Sequence, residues 1–377
     1  MRVAQSCWTA AAGWSVPLGT GSPASLVLVF GARRRFEDPS LLEEIRAAFP
    51  AVPVVGCSTS GEIAADRVLD DSVVLTAVTF EHTRVRCLSA PLPDAGSSLE
   101  TGRALGRQLA APDLCHVLLF SEGVHVNGTD LAAGVSETLP AGVAVTGGLA
   151  GDGAAFEQTC VIVDGQVRSR VAVAIGFHGT ALHVGHGSLG GWDTFGPDRV
   201  ITRSKDNVLY ELDGESALAL YRRYLGPHAA DLPASGLLFP LALLGPNREP
   251  GVVRTILGIN DADGSLTFAG DVPQGRYARL MRANMDRLID GATGAATASR
   301  DFHGGRRAAL ALLVSCVGRK LVLGVRTVEE VESVRDVLGP ECALAGFYSY
   351  GEISPLTPHA KCDLHNQTMT ITTFSEG

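Results

Sequence analysis

Gly56-Cys57-Ser58-Thr59-Ser60-Gly61-Glu62-Ile63 reads GCSTSGEI, and Gly346-Phe347-Tyr348-Ser349-Tyr350-Gly351-Glu352-Ile353 reads GFYSYGEI. The residues between the glycines are rich in Ser, Thr, Tyr and Cys, which can donate hydrogen bonds, and each run ends on a carboxylate. A looser relative, Gly147 to Gly153 (GGLAGDG), carries Asp152. Glycines at such a turn supply a positive φ at a tight strand exit, which accounts for the glycines but not for the hydroxyls between them. Loops at strand ends are where binding residues gather. Cys57, Ser58, Thr59, Ser60, Glu62, Asp152, Ser349 and Glu352 are therefore candidate ligand-binding residues, with Asn366 beside them on the final strand.

Enzyme signatures come close and fail. GCSTSG resembles the nucleophile elbow G-x-S-x-G but has Ser60 in place of the second glycine. A hydrolase using Ser58 or Cys57 needs a base aimed at its nucleophile, and no spacing supplies one. Gly185 to Gly190 is a formal G-x-G-x-x-G, yet Gly190-Gly191-Trp192 and Pro197 interrupt the helix that a dinucleotide site requires. There is no Walker A sequence. His183 and His186 differ in parity on a strand and face opposite sides, so a tetrahedral zinc site is not expected.

Haem asks for less: one axial ligand and an apolar slot. Without CxxCH the form would be haem b. His365 at the start of the last strand is the first candidate for the axial ligand, with His116, His125, Cys57 and Cys316 behind it. Tyr348 and Tyr350 would border the ring, and Arg254 or Arg319 would take its carboxylates bidentately. Arg254 stands inside the apolar run VVRTILGI and must have a partner there. Either Glu62, Glu352 or Asp271 within the fold, or a bound anion, fills that role.

The elements that position these turns also repeat. LVLVF (Leu26 to Phe30), PSLLEEIRAAF and VPVVG precede the first turn. HVLLF (His116 to Phe120), TDLAAGVSETL and VAVTGG precede the second, and LALLVSC (Leu310 to Cys316), TVEEVESVRDVL and ALAGF the third. Each is a β-α-β unit whose helical crossover makes the strands parallel. Asp38 and Pro39 start the first helix, while Thr327 and Glu330 read as a capping box for the third. The Gly-rich stretch from Leu182 reads as cover for a sheet edge or seam. Asp213 to Leu225 reads as a helix, VVRTILGI as one strand, and a further helix is expected to begin at Arg276.

At 377 residues the chain suits two domains, divided here as 1–212 and 213–377. The fold class is α/β, two domains of repeated β-α-β-turn-β units with mixed sheets. A net charge of −9 and only three lysines exclude a nucleic-acid surface. No run reaches the ~20 apolar residues of a membrane span, and the N-terminus lacks a signal-peptide core. Eight scattered cysteines without a CxxC pair fit reduced thiols and a cytoplasmic location.

On GCSTSGEI, GFYSYGEISP and the strings GGWDTFGP, LYELDG, ALALYRRYLG, LMRAN, SCVGRK and LHNQTMTITT, the chain resembles FIST proteins, with a FIST N and a FIST C domain, over about Leu26 to Phe374. It is similar to stand-alone bacterial members, some of which are haem-binding nitric-oxide-sensing proteins (NosP). The resemblance implies a non-enzymatic cytoplasmic sensor that binds a small molecule and reports to a separate signalling protein. In the haem branch that means a nitric oxide sensor acting on a histidine kinase in a two-component system. Without haem, the family context implies amino acids or related carboxylates as ligands. A homo-oligomer is left open.

Overall fold

The computed structural model describes all residues except 20–22, 246, 249 and 356–360. In each repeat two parallel strands flank the helical crossover and a third strand returns antiparallel beside the first. Leu26–Ala32 pairs with Val54–Thr59 and Val73–Thr79, Leu114–Ser121 with Ala144–Leu149 and Val171–His178, and Leu310–Cys316 with Ala343–Ser349 and Met369–Glu376. One further antiparallel strand extends each set, namely Arg2–Thr9, Arg84–Pro91 and Leu182–Leu189.

The hairpin after each turn leaves its own repeat. Glu62–Ala64 pairs with Ala343–Ser349 of the third repeat. Gly351–Pro355 of the third pairs with Ala144–Leu149 of the second, and Val161–Val163 of the second pairs with Val54–Thr59 of the first. The three sheets thus exchange hairpins in a closed cycle, with pseudo-threefold symmetry. No sheet is completed by its own stretch of sequence.

The strands are apolar on both faces because both faces are covered. The inner faces share one core in which Phe30, Phe120 and Phe347 meet, with ring centroids 4.7–6.0 Å apart. Outside, helix Pro39–Ala48 covers the first sheet, Ser98–Leu109 and Gly128–Thr138 the second, and Met285–Asp301 and Thr327–Leu338 the third. Asp38 caps its helix by accepting from the Ser40 amide, 2.9 Å away.

A fourth sheet lies between the second and third repeats in sequence. Its order is Pro250–Arg254, Leu241–Leu244, Tyr277–Arg282, Arg199–Lys205, Val208–Leu212, Ser265–Phe268, Ile256–Asn260. Helix Ala217–Leu225 packs on it. Position 212/213 falls in a hairpin of this sheet, where Leu212 pairs with Glu215. Among the described residues no helix is long and apolar enough to cross a membrane.

Local expectations change in five places. Arg276 does not start a helix, because the period-two burial of Ala278 and Leu280 makes Tyr277–Arg282 a strand, and the helix waits for the Asn284 cap. VVRTILGI breaks into two strands at Thr255. LLFPLALL (Leu237 to Leu244), an apolar run that reads as one strand, divides at Pro240, its first half forming part of a 3-10 turn. Leu182–Leu189 is a full strand, its glycines admitting the backbone of helix Met285–Asp301. Thr327 and Glu330 form no capping box, since Thr327 donates to Gly324 and Lys320 carbonyls and Glu330 turns inward to an arginine.

Candidate functional site

The three turns meet at one end of the molecule through a ring of backbone bonds. Ser60 N donates to Tyr348 O (2.8 Å), Gly151 N to Ser58 O (2.9 Å) and Tyr350 N to Leu149 O (3.3 Å). Gly56, Gly147 and Gly346 begin the turns at equivalent positions. A Cβ on any of them would lie 1.7–1.9 Å from the carbonyl oxygen of the neighbouring strand, so the glycine is required by close approach.

The two glutamates are equivalent in register. Glu62 stands opposite Phe347 and Glu352 opposite Gly148. Thr59 Oγ1 donates to Glu62 Oε1 (2.5 Å), and Ser349 Oγ to Glu352 Oε1 (2.6 Å). Their other oxygens accept from the amide and hydroxyl of the residue before the returning strand, Ser72 or Thr368. Both carboxyls are fully buried, and burial raises them to about 7 for Glu62 and about 8 for Glu352 against these hydrogen bonds. In the second repeat the equivalent residue, opposite Cys57, is Val161.

Ser60 and Asp152 lie nearer the surface. Ser60 Oγ donates to Gly153 O (2.9 Å), and Lys320 Nζ donates to Ser60 O (2.9 Å) while ion-pairing with Asp70. A cleft of ≈ 530 Å³ opens here, lined by Ser60, Asp70, Gly153, Val317, Lys320 and Thr327 among others. The Tyr350 hydroxyl bonds the Asp152 carboxylate, and its ring stacks on Phe156 at 4.2 Å. Asp152 also accepts from the amides of Phe156, Glu157 and Gln158, fixing the loop.

Cys57 and Ser58 are wholly buried. Burial pushes the Cys57 thiol well up, and Ser58 Oγ accepts from Cys160 N. Neither is presented to a substrate, and neither has a base hydrogen-bonded to it among the described residues.

The two arginines are held inside the fold. Arg319 binds Glu330 through Nε (3.1 Å) and Nη2 (2.8 Å), and also donates to Gly190 O and Leu288 O. Both members of the pair are 0 % exposed. Tyr348 donates its hydroxyl to the same carboxylate at 2.7 Å. Arg254 donates to Leu364 O (2.8 Å) and Asp271 O (3.0 Å), tying the fourth sheet to the hairpin of the third repeat. Of the three carboxylates expected as partners, it meets Asp271 through the backbone, with Asp363 4.0 Å away.

That hairpin leads into His365-Asn366-Gln367, all 0 % exposed. His365 Nε2 bonds Ser354 O (2.8 Å), and Asn366 Nδ2 donates to Tyr350 O (3.4 Å), while among the described residues His365 Nδ1 and Asn366 Oδ1 have no partner. Neither polar atom of the Gln367 side-chain amide finds a partner among the described residues. Gln367 is also held at φ +62°, and its amide lies where a Cβ on Gly318 would meet it at 2.5 Å.

For haem, the donor chemistry at His365 fits in part: with the proton on Nε2, Nδ1 keeps its lone pair. The setting is closed: Glu352, Ser354, His365 and Asn366 are all buried. His116 is bonded to Thr146 Oγ1 (2.9 Å) and burial lowers it to about 3. His125 is half-exposed beside Glu122. Cys316 is a buried thiol raised by desolvation.

Sequence reasoning missed Glu330, Ser72, Thr368 and Lys320 as participants. The signal for two of them was present, since a hydroxyl residue precedes the returning strand in both glutamate-bearing repeats.

Two uncharacterized proteins of Mycobacterium tuberculosis, from strains CDC 1551 and H37Rv, are each 26 % identical to this chain over 378 residues, covering 95 % of it and 92 % of their own length. Residues 25–215 match the FIST N domain and residues 217–355 the FIST C domain. The chain belongs to the FIST family, whose domains are associated with small-ligand sensing in signalling.

Proposed function

We propose that the protein is a non-enzymatic small-ligand sensor whose recognition groups are His365, Asn366 and Gln367, and that it reports to a separate signalling protein. The observation that carries this is the run of three fully buried residues whose polar atoms include several with no partner among the described residues. Each such group costs about 1–3 kcal/mol unless something completes it, and a left-handed φ at Gln367 adds to the strain. Arg254 brings a cation to the same hairpin. A small amino acid or related carboxylate combines the donors, acceptors and negative charge that this set answers.

Thermal-shift and calorimetric titration with a panel of amino acids and dicarboxylates tests the reading. At least one should raise the midpoint of the wild type, and Gln367→Ala should lose most of that affinity. No response to any member, or an unchanged response in the variant, would overturn it.

Haem b bound through His365 is the second reading, and the unpartnered Nδ1 is what favours it. Reconstitution with haem followed by a Soret spectrum separates the two. In that reading nitric oxide acts on a partner histidine kinase through this chain.

A further inference from the structure

The pseudo-threefold arrangement exposes a difference between the sheets. The outer faces of the second and third sheets each carry two helices, the crossover helix and a second one that precedes the repeat, Ser98–Leu109 or Met285–Asp301. The first sheet has only its crossover helix, Pro39–Ala48, among the described helices. Where its second helix would lie there is a groove of ≈ 520 Å³. Ala4 and Ala77 line its open end, while deeper in Ser6 and Leu75 are buried, Ser6 Oγ donating to Val16 O (2.7 Å); Leu18 and Phe49 also line it.

Register relates this floor to the two occupied ones. Val3 pairs with Val78 as Val85 pairs with Phe177 and Val184 with Phe374. Ala4 therefore corresponds to Arg86 and Gly185, Ser6 to Leu88 and Gly187, and Arg2 to Arg84 and His183. In the third sheet Gly185 and Gly187 lie directly beneath Ser299 O and Ala295 O of the second helix. In the second sheet Arg86 Nη1 donates to Gln108 O, one residue before the helix ends. Both helices thus run the same way, with their C-terminal turns over this end of the strands.

The first sheet keeps the matching features. Ala4 is exposed and small, and exposed Arg2 makes no ion pair with any described residue. It stands where a helix C-terminus, rich in unpaired carbonyls and partial negative charge, would arrive.

We infer that this groove receives the C-terminal turns of an amphipathic helix from the signalling partner. That helix would turn small residues toward Ala4 and Ala77 and set an acidic residue or its own C-terminal carbonyls against Arg2. The occupant is defined by the two helices the chain itself places on equivalent floors and by the charge of Arg2. Docking an apolar helical face in a groove is a common recognition mode. The inference rests on the sensor reading only for the partner's role in signalling.

The test uses the full chain and a fluorescent, lactam-stapled peptide of residues 285–301, the chain's own second helix from the third sheet. Saturable binding is expected, with slowed amide exchange in Arg2–Thr9 and Val73–Thr79. Arg2→Glu and Ala4→Glu, both at exposed positions, should each weaken it about tenfold while the response to small ligands stays unchanged. Binding that neither substitution affects, or no saturable binding, overturns the proposal. Concentration-dependent dimerisation abolished by Ala4→Glu would overturn it in favour of a second copy as occupant. Peptide binding by a wild type that responds to no small ligand would sink the sensor reading alone, whereas a ligand response abolished by Gln367→Ala without any peptide binding would sink the groove alone.

Discussion

Glu62 and Glu352 hold the same position in two different repeats, each on a strand that has left its own repeat for another's sheet. Each carboxyl joins the hydroxyl three residues before it to the residue that opens the returning strand. The repeated glutamate is therefore a staple between the departing hairpin and the repeat it departs from.

The staples make stability depend on pH in a definite direction. Burial raises both glutamates above the ordinary 4.5, to about 7 and about 8. A raised folded pKa gives stability that is fully present below the unfolded value and is lost as pH rises through the folded one. The thermal midpoint should fall between about pH 5 and pH 8, and Glu352→Gln should flatten that fall. Parallel midpoint-versus-pH curves for variant and wild type would refute this.

Gly147→Ala should cost about 3 kcal/mol or more, since overpacking against backbone has little means of relaxing. Its Cβ would stand 1.9 Å from Leu119 O, at a φ of +146°. Urea unfolding measures the loss. Gly142→Ala, also at positive φ but with open space around it, should cost less and separates backbone strain from steric conflict.

Arg319→Met should destabilise by about 3–5 kcal/mol because it leaves Glu330 buried and unpaired. Adding Glu330→Gln should recover part of that loss. A double variant no more stable than the single one would show that Glu330 is stabilised chiefly by Ser315 and Tyr348.

Arg254→Leu removes the bonds to Leu364 O and Asp271 O. Hydrogen exchange in Cys362–His365 should quicken, and affinity for a carboxylate ligand should fall by on the order of 2 kcal/mol. Faster exchange with unchanged affinity would confine Arg254 to joining the fourth sheet to the hairpin.

His365→Ala separates the two ligand readings. If haem is bound through this ring, the Soret maximum shifts or is lost while circular dichroism is unchanged. A spectrum identical to wild type sends the search to His116, His125 or Cys57.

The local order of the chain was legible in its sequence. Three apolar strands, three crossover helices and three glycine turns are short-range patterns of periodicity and capping, and each appears where its residues place it. The equivalence of Glu62 and Glu352 was legible too, because the motif spelled it twice. What the turns connect to was decided only in three dimensions. Hairpin exchange pairs Glu62 with Phe347 and Glu352 with Gly148 across separations of hundreds of residues, and no local propensity encodes a partner strand. The same holds for buried charge: Arg319 finds Glu330 rather than a ligand because the third crossover helix turns that carboxylate inward. The places where a ligand or partner would act, the buried Gln367 side chain and the groove above Ala4, are visible only as departures from the packing the repeats otherwise share.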